Sequence, residues 1–502
     1  MKYASKSSPL WTLVVAMGAL SAPAAVGQAA NTELDIFHAL GGSVDDPAGA
    51  ADPDVVSSRP VAIDADALRM ADPDASLTFA VPLGNGVSVT ALVDRLDHLG
   101  GGEFSLSGRL DDNDFSSFVL AGDDQGLFGV FRSFEHGAYQ LRLSQSGVRV
   151  LREVQGTRSL RCGNDPVTEQ LVEQVLRQGS SAPAEAGYAS DSGATIDIMV
   201  VYTPKAAVTA AVNGYPMSYL INAGIADVNA RLDNSNSTPN YRLVFEYPLN
   251  TNASNDSGQD RLDLQGKTDG RWDEIHLLRA TYAADIVHMV VENISPNLGG
   301  LAFRPQDASQ LHIDFSYGLT RWNQVDTGTF AHELGHNMAC HHHPDDADAA
   351  GGTVASTTPV LYPYAFGHRT TFLPFLRTTM AYAAGGYTQI SYYSNPDISL
   401  TQGGGIPVPI GIVNQRDNAQ VIDNTASNLA NYTPSVQYVD ESQMPNTGKG
   451  TLFSPIWDLS VGVLVSSAGH SIRLLSDSDF TGPITDPVVL ESATGAPVVI
   501  GQ

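Results

Sequence analysis

The chain has 502 residues, 42% of them hydrophobic, which is enough for about two to four domains with at least one large core. Its 54 acidic residues against 27 Lys and Arg give a formal net charge of −27 and argue against nucleic acid or an anionic membrane as the main partner. Two cysteines, Cys162 and Cys340, are too few for a disulfide framework in a chain of this size.

Taken in order, residues 1–30 read as an export signal. Lys2 and Lys6 form a positive start, Leu10 to Leu20 an apolar core, and Ser21 to Ala30 a small-residue stretch suited to cleavage. The apolar run is shorter than the roughly 20 residues a membrane span needs. The expected product is secreted and monomeric, with no stable membrane insertion once the signal is removed. Residues 31–55, rich in Ala, Asp, Gly and Pro, predict little order. From Arg59 to Val154, short alternating runs such as Ser76–Val81 and Tyr139–Leu143 are separated by turn signals such as Gly84-Asn85-Gly86. That pattern predicts an antiparallel β domain without a catalytic constellation. Arg161-Cys162-Gly163 follows, then an amphipathic helix over Val167–Gln178, completing a β-rich unit over 31–178. Residues 179–193 have linker composition, open to a protease.

Residues 194–436 read as a mixed α/β (α+β) domain. Thr195–Thr203, Tyr241–Leu249 and Ala284–Glu292 are strands, and Leu301–Arg304 and Leu311–Phe315 are candidates for short ones. Pro204 opens a helical stretch to Leu232, interrupted near Gly214-Tyr215-Pro216, and Trp272–Tyr282 is helical. A further helix begins near Asp326-Thr327-Gly328, with Asp or Thr as its expected N-cap. Residues 437–502 combine a polar linker with a small β-rich C-terminal module, alternating as in Leu459–Val465.

The chemistry concentrates in that last helix. His332-Glu333-Leu334-Gly335-His336 puts two imidazoles at i and i+4, on one helix face, with Glu333 beside them. Catalytic zinc takes three protein ligands and leaves a position open. His342, six residues beyond His336, fits the third place by spacing. His341 and His343 flank it, so a slipped ligand frame is the alternative.

His332 to His342 resembles the HExxHxxGxxH signature of the metzincin zinc endopeptidases. Arg377-Thr378-Thr379-Met380-Ala381-Tyr382 looks like their methionine turn, and Tyr382 matches the position where astacins and serralysins place a tyrosine near the zinc. Ile390–Pro396 is similar to a segment of bacterial reprolysin-like and peptidyl-Asp metallopeptidases. The resemblance covers about Thr195 to Pro434. It implies a metzincin-like catalytic domain with a twisted mixed sheet and an active-site helix. It also implies one catalytic Zn2+ on His332, His336 and His342, a floor at Met380, and hydrolysis of protein or peptide substrates by zinc-activated water. Glu333 is the implied general base, and Tyr382 a metal or oxyanion contact. No motif indicates a structural calcium.

Two positions depart from the pattern. Ala339 stands where the family has glycine, and His343 follows the third histidine. Arg161-Cys162-Gly163 resembles the cysteine switch of matrix metalloproteinase prodomains, which implies that Cys162 blocks the metal in a zymogen. A buried free thiol and a disulfide to Cys340 are its other readings. Relatives that cut before Asp imply a cation in the S1′ pocket, for which Arg369, Arg377 and Arg416 are the regional candidates. The competing reading of the whole chain is an inactive metzincin-like secreted or surface binding protein.

Overall fold

In the computed structural model the described residues are 32–155, 161–162 and 195–440, apart from short internal gaps, and scattered residues from 442 to 492. The gaps are at 43, 74, 124, 255, 295–297, 348–352, 358, 384–385, 402–404 and 434. The export segment 1–30, the helix expected over 167–178 and the linker 179–193 lie outside the described residues.

The N-terminal region is all-β. Its strands are β1 (Thr32–Leu34), β2 (Phe37–Ala39), β3 (Val55–Ile63), β4 (Leu77–Gly84), β5 (Val87–Gly100), β6 (Glu103–Leu110), β7 (Ser117–Gly122), β8 (Leu127–Ser133), β9 (Gly137–Leu143) and β10 (Arg149–Val154). They form one sheet in the order 1-4-5-6-7-8-9-10-3-2, antiparallel throughout except for the β1–β4 pair. The sheet curls until its ends share one core. Phe37 of β2 lies with its ring 5.7 Å from that of Phe79 on β4 and 5.8 Å from that of Phe131 on β8. Residues 31–55 are not the poorly ordered stretch their composition predicts. They supply β1, β2 and the short helix Pro47–Ala51, and Asp46 beneath that helix accepts from Arg152 at 2.7 and 2.8 Å. An ion pair across a long sequence separation gives order that local composition does not reveal.

A second sheet carries the motif helix. It consists of β11 (Arg161–Cys162), β12 (Thr195–Tyr202), β13 (Asn240–Pro248), β14 (Ile286–Val291), β15 (Leu298–Ala302) and β16 (Tyr317–Arg321), in the order 11-15-16-14-12-13. Only β15 and β16 pair antiparallel, so the sheet is mixed, as expected. Successive side chains of a strand point to opposite faces. Ile196, Ile198 and Val200 accordingly meet the helices Pro204–Val212, Met217–Asn234 and Thr329–Asn337 on one face. Met199 and Val201 meet Leu264 and Ile275, from helices Ser257–Gln265 and Glu274–Tyr282, on the other.

Two local expectations change. Residues 311–315 form no strand; Ile313–Phe315 is a 3-10 turn and the strand follows at Tyr317. The motif helix is capped by neither Asp326 nor Thr327, because a 3-10 turn over Trp322–Thr327 runs directly into it through Gly328 at φ 90°. The helix Asn418–Leu429 carries no clear sequence motif and packs Val421, Ile422 and Leu429 into the same core. Past it, Val436–Val439 pairs with Ser471–Leu474, and that strand with Val489–Ser492, in a parallel sheet.

Phe131 is fully buried where the curled sheet closes. Phe131→Ala is expected to destabilise the N-terminal region by about 3–5 kcal/mol, read as a lower denaturation midpoint by tryptophan-independent far-UV dichroism.

Candidate metal centre

The helix Thr329–Asn337 is buried along its whole length. Phe330 and Leu334 enter the core, while His332, Glu333 and His336 face β15 and the turn at Met380. After His336 the chain must reverse within a few residues to bring back a third imidazole. The reversal occurs at Ala339, which adopts φ 67°. That left-handed conformation costs a non-glycine residue about 1–2 kcal/mol. The Ala339 methyl is fully buried, and about 0.8 kcal/mol of apolar burial offsets part of that cost. The missing glycine therefore does not prevent the turn.

Three imidazole nitrogens converge beyond it. His332 Nε2 and His336 Nε2 are 3.1 Å apart, His336 and His342 2.9 Å, and His342 and His332 3.1 Å. The other ring nitrogens explain why this cluster needs a cation. His332 Nδ1 lies 2.9 Å from the Thr379 carbonyl, and His336 Nδ1 lies 2.9 Å from the Cys340 carbonyl. A carbonyl only accepts, so both Nδ1 atoms carry the proton and both Nε2 atoms present lone pairs to each other. Burial pushes all three imidazoles below their ordinary range, which keeps them neutral. Facing lone pairs at this distance repel, and a divalent ion between them removes the repulsion. The donor set fits a metal.

The histidine frame does not slip. His341 Nδ1 accepts from the His342 amide at 2.7 Å, and its ring lies against Phe366. His343 Nδ1 accepts from the Asp345 amide at 3.2 Å. Neither ring is among the converging ligand atoms.

Cys162 completes the group, with its Sγ and the three nitrogens all within 4.8 Å of one another. It arrives on β11, which adds to the edge of β15 with Cys162 opposite Gly300. Its thiol donates to Glu333 Oε2 at 3.3 Å. Burial pushes the Glu333 carboxyl up to about 8, and the thiol contact partly opposes the shift. Glu333 owes its place to Gly300, where an added Cβ would stand 2.4 Å from Oε1. The Tyr382 hydroxyl donates to the Cys162 carbonyl at 3.1 Å, and its ring centroid is 4.1 Å from that of His342. Met380 is fully buried below the motif helix. Every site residue expected from the sequence is thus drawn to one place. No disulfide joins Cys162 to Cys340, and the Cys340 thiol is buried and pushed well above its ordinary range.

Sequence reading missed the residues that steady this arrangement. Arg231, fully buried on the helix Met217–Asn234, donates to Thr379 Oγ1 at 3.0 Å and to Asp227 at 3.0 Å. Tyr393 donates to the Ala331 carbonyl at 2.7 Å, tying the turn segment to the helix.

Residues 220–343 match the metallo-peptidase family M12B, reprolysin-like. This segment is a reprolysin-like metallopeptidase domain. A peptidyl-Asp metalloendopeptidase of Xanthomonas campestris is 29% identical over 396 residues, covering 75% of this chain and 86% of that protein. Another of that name from Stenotrophomonas maltophilia is 31% identical over 253 residues, covering 48% of this chain and 53% of that protein. One from Pseudomonas aeruginosa is 28% identical over 286 residues, covering 53% and 44%. The chain thus spans most of the first relative and about half of the other two. The family match ends at His343, so in this metallopeptidase it covers the whole histidine cluster but stops before the turn at Met380.

A Cβ at Gly335 would come 2.6 Å from Met380 Sδ. Gly335→Ala is therefore expected to displace the floor and weaken metal retention by about 10-fold or more, measured as metal content after dialysis against a competing chelator. Ala339→Gly should change unfolding free energy by less than about 1 kcal/mol, whereas Ala339→Val, β-branched in a left-handed conformation, should lose more than about 2 kcal/mol in denaturant titration.

Proposed function

We propose that this metallopeptidase is an exported zinc endopeptidase, made latent by its own Cys162 segment, with a preference for an acidic residue at the cleaved bond. The observation that carries the reading is the convergence of the His332, His336 and His342 Nε2 atoms, with the Cys162 sulfur as a fourth ligand atom beside them. Three nitrogens and a thiolate suit zinc, which favours four ligands in a tetrahedron. When bound there, zinc supplies Lewis-acid polarisation of the scissile carbonyl and of the attacking water.

The protein's own groups do the rest. Glu333, dry and basic for a carboxylate, takes a proton from the attacking water and passes it to the departing amine. Tyr382 now donates to a peptide carbonyl, that of Cys162. With that segment withdrawn, the same hydroxyl is free to donate to the scissile carbonyl of a substrate as charge builds on its oxygen. The Cys162 segment therefore occupies three functions together: the fourth ligand position, the base and the oxyanion donor. Latency by a thiol requires that this segment leave, and the residues from 163 to 193 are where a cut would release it.

Arg377 supports the acidic preference. It is buried beside the turn at Met380, donates to the Ala381 carbonyl at 3.0 Å, and its Nε has no hydrogen-bond partner among the described residues. Burial, with the charges of Arg231 and Arg369, pulls it down to about 9. The nearby carboxylate of Asp346 is already paired with Arg369. A buried guanidinium in that state gains from an incoming carboxylate. Arg369, so paired, and the half-exposed Arg416 are weaker candidates. The relatives named peptidyl-Asp metalloendopeptidase point the same way. Export rests on residues 1–30; no helix among the described residues is long and apolar enough to cross a membrane.

Cys162→Ala in the uncut chain is expected to raise hydrolysis of a denatured protein by about tenfold or more, since the thiol no longer competes for the metal. An unchanged, inactive Cys162→Ala chain refutes latency by thiol. Glu333→Gln should lower activity by about 10²–10⁴-fold in the released enzyme, and a chelator should abolish it. Arg377→Gln should cut the ratio of kcat/KM for Asp-containing over Asn-containing peptides by about tenfold, with Asn peptides little affected.

A further inference from the structure

The N-terminal barrel and the Cys162 strand meet the peptidase domain at different places. Among the described residues, β11 pairs with the edge of β15. The barrel is deeply seated. Every residue of β7 and β8 is buried, on both faces of the sheet, where a free-standing barrel wall would expose alternate residues. One face fills the barrel core; the other is covered by the peptidase domain. Phe128 stacks on Tyr219 at 4.9 Å and Tyr215 at 5.8 Å. Arg132 pairs with Asp227 at 3.1 Å, and Arg142 pairs with Asp326 at 2.5 Å while its guanidinium lies 3.9 Å from the Tyr215 ring centroid.

These contacts reach the peptidase domain before its histidine cluster, but the barrel also holds the part after it. Phe115 packs with Leu376 and Ile390, and Ser117 Oγ lies 2.9 Å from Ser391 Oγ. The barrel therefore bridges the two halves of chain that meet at the metal. Its link to the site is direct. Asp227, held by Arg132, also holds Arg231, Arg231 holds Thr379, and the Thr379 carbonyl accepts from His332 Nδ1.

We propose that the barrel remains bound after the connection to the peptidase domain is cut, as a non-covalent subunit of the active enzyme, and that cutting withdraws only the Cys162 strand. A cut anywhere from 163 to 194 gives the Cys162 strand a free end. It leaves untouched an interface of aromatic anchors and enclosed arginine–carboxylate pairs, the composition that concentrates binding energy. Separation would bare the outer face of β7 and β8, an apolar patch that soluble proteins rarely leave exposed. This inference deepens the latency reading and rests on it for the role of Cys162, but the retention of the barrel stands on the interface alone.

The test uses the full chain with a recognition site for a specific protease placed within residues 179–193. Cutting the Glu333→Gln form, which cannot digest itself, and running gel filtration at 0.15 M salt (about physiological ionic strength) is expected to give both pieces in one peak near the position of the uncut chain. Two separate peaks overturn the proposal. In the same cut chain, Phe128→Asp with Arg132→Glu is expected to release the barrel as a second peak, and continued co-elution of that variant overturns the assignment of the interface. If the double variant does not fold before cutting, the parent's elution decides alone. Cutting the unaltered chain reads the other hypothesis separately. Activity that appears with the pieces together supports both, whereas co-elution without activity keeps the subunit and refutes latency by Cys162.

Discussion

The hydrogen bond from His332 Nδ1 to the Thr379 carbonyl, 2.9 Å long, is the contact on which the site depends. It joins two segments that have no local reason to meet, the motif helix and the turn at Met380. It fixes which nitrogen of His332 carries the proton, and so aims the Nε2 lone pair at the cluster. The carbonyl is itself held in place, because Arg231 binds the Thr379 hydroxyl and the Thr379 amide donates to Tyr392 at 2.8 Å. Loss of that support would free the ring to rotate and scatter the three nitrogens. The buried arginine thus acts on the metal site through the backbone, without approaching the metal itself.

The same economy governs the proposed latent state. The edge of β15 is the surface on which β11 lies, and Gly300 of that strand makes room for the Glu333 carboxyl. A side chain at position 300 would push the base out of place, so the strand must be bare where it meets the helix. The bare backbone is then open to an added strand, and the Cys162 segment is one that carries its own metal-binding thiol. Tyr382 grips that segment by its carbonyl. Under the proposed latency, inhibition and catalysis would draw on one set of donors and so exclude each other.

Much of the site was legible because its chemistry is local. His332, Glu333 and His336 follow from helical periodicity, and His342 from the span of the turn after them. The φ of Ala339 could be foreseen from its position, but not that burial of its methyl would offset the strain, since burial is tertiary. Arg231 and Asp227 look like surface charges of an amphipathic helix until the helix is found enclosed on both sides. Gly300 gives no signal at all in a strand that reads as Leu-Gly-Gly-Leu-Ala. For the fold, alternation identified the β region, but residues 31–55 were misread because Asp46 is ordered by Arg152, far away in sequence. The runs Ser117–Gly122 and Leu127–Ser133 did hold a usable clue. They are almost uninterruptedly apolar or small, where a half-exposed strand alternates.

That clue bears on how the chain divides its labour. The two halves of the peptidase domain meet at the metal cluster and also away from it, where Tyr393 binds Ser235 and Ala331 and the helix Asn418–Leu429 joins the common core. The barrel touches both halves, with Arg132 on the helix side and Phe115 on the floor side. A group that merely blocked the active site would be expected to sit over the cleft, with its largest contacts next to the metal. Here the Cys162 strand lies on the edge of β15, whereas the barrel's contacts fall on the helix Met217–Asn234 and on the segment around Leu376 and Ile390. The distribution of contacts separates two roles that a single N-terminal segment would otherwise be assumed to share: under the proposed latency the strand restrains the chemistry, and the barrel supports the frame in which it occurs.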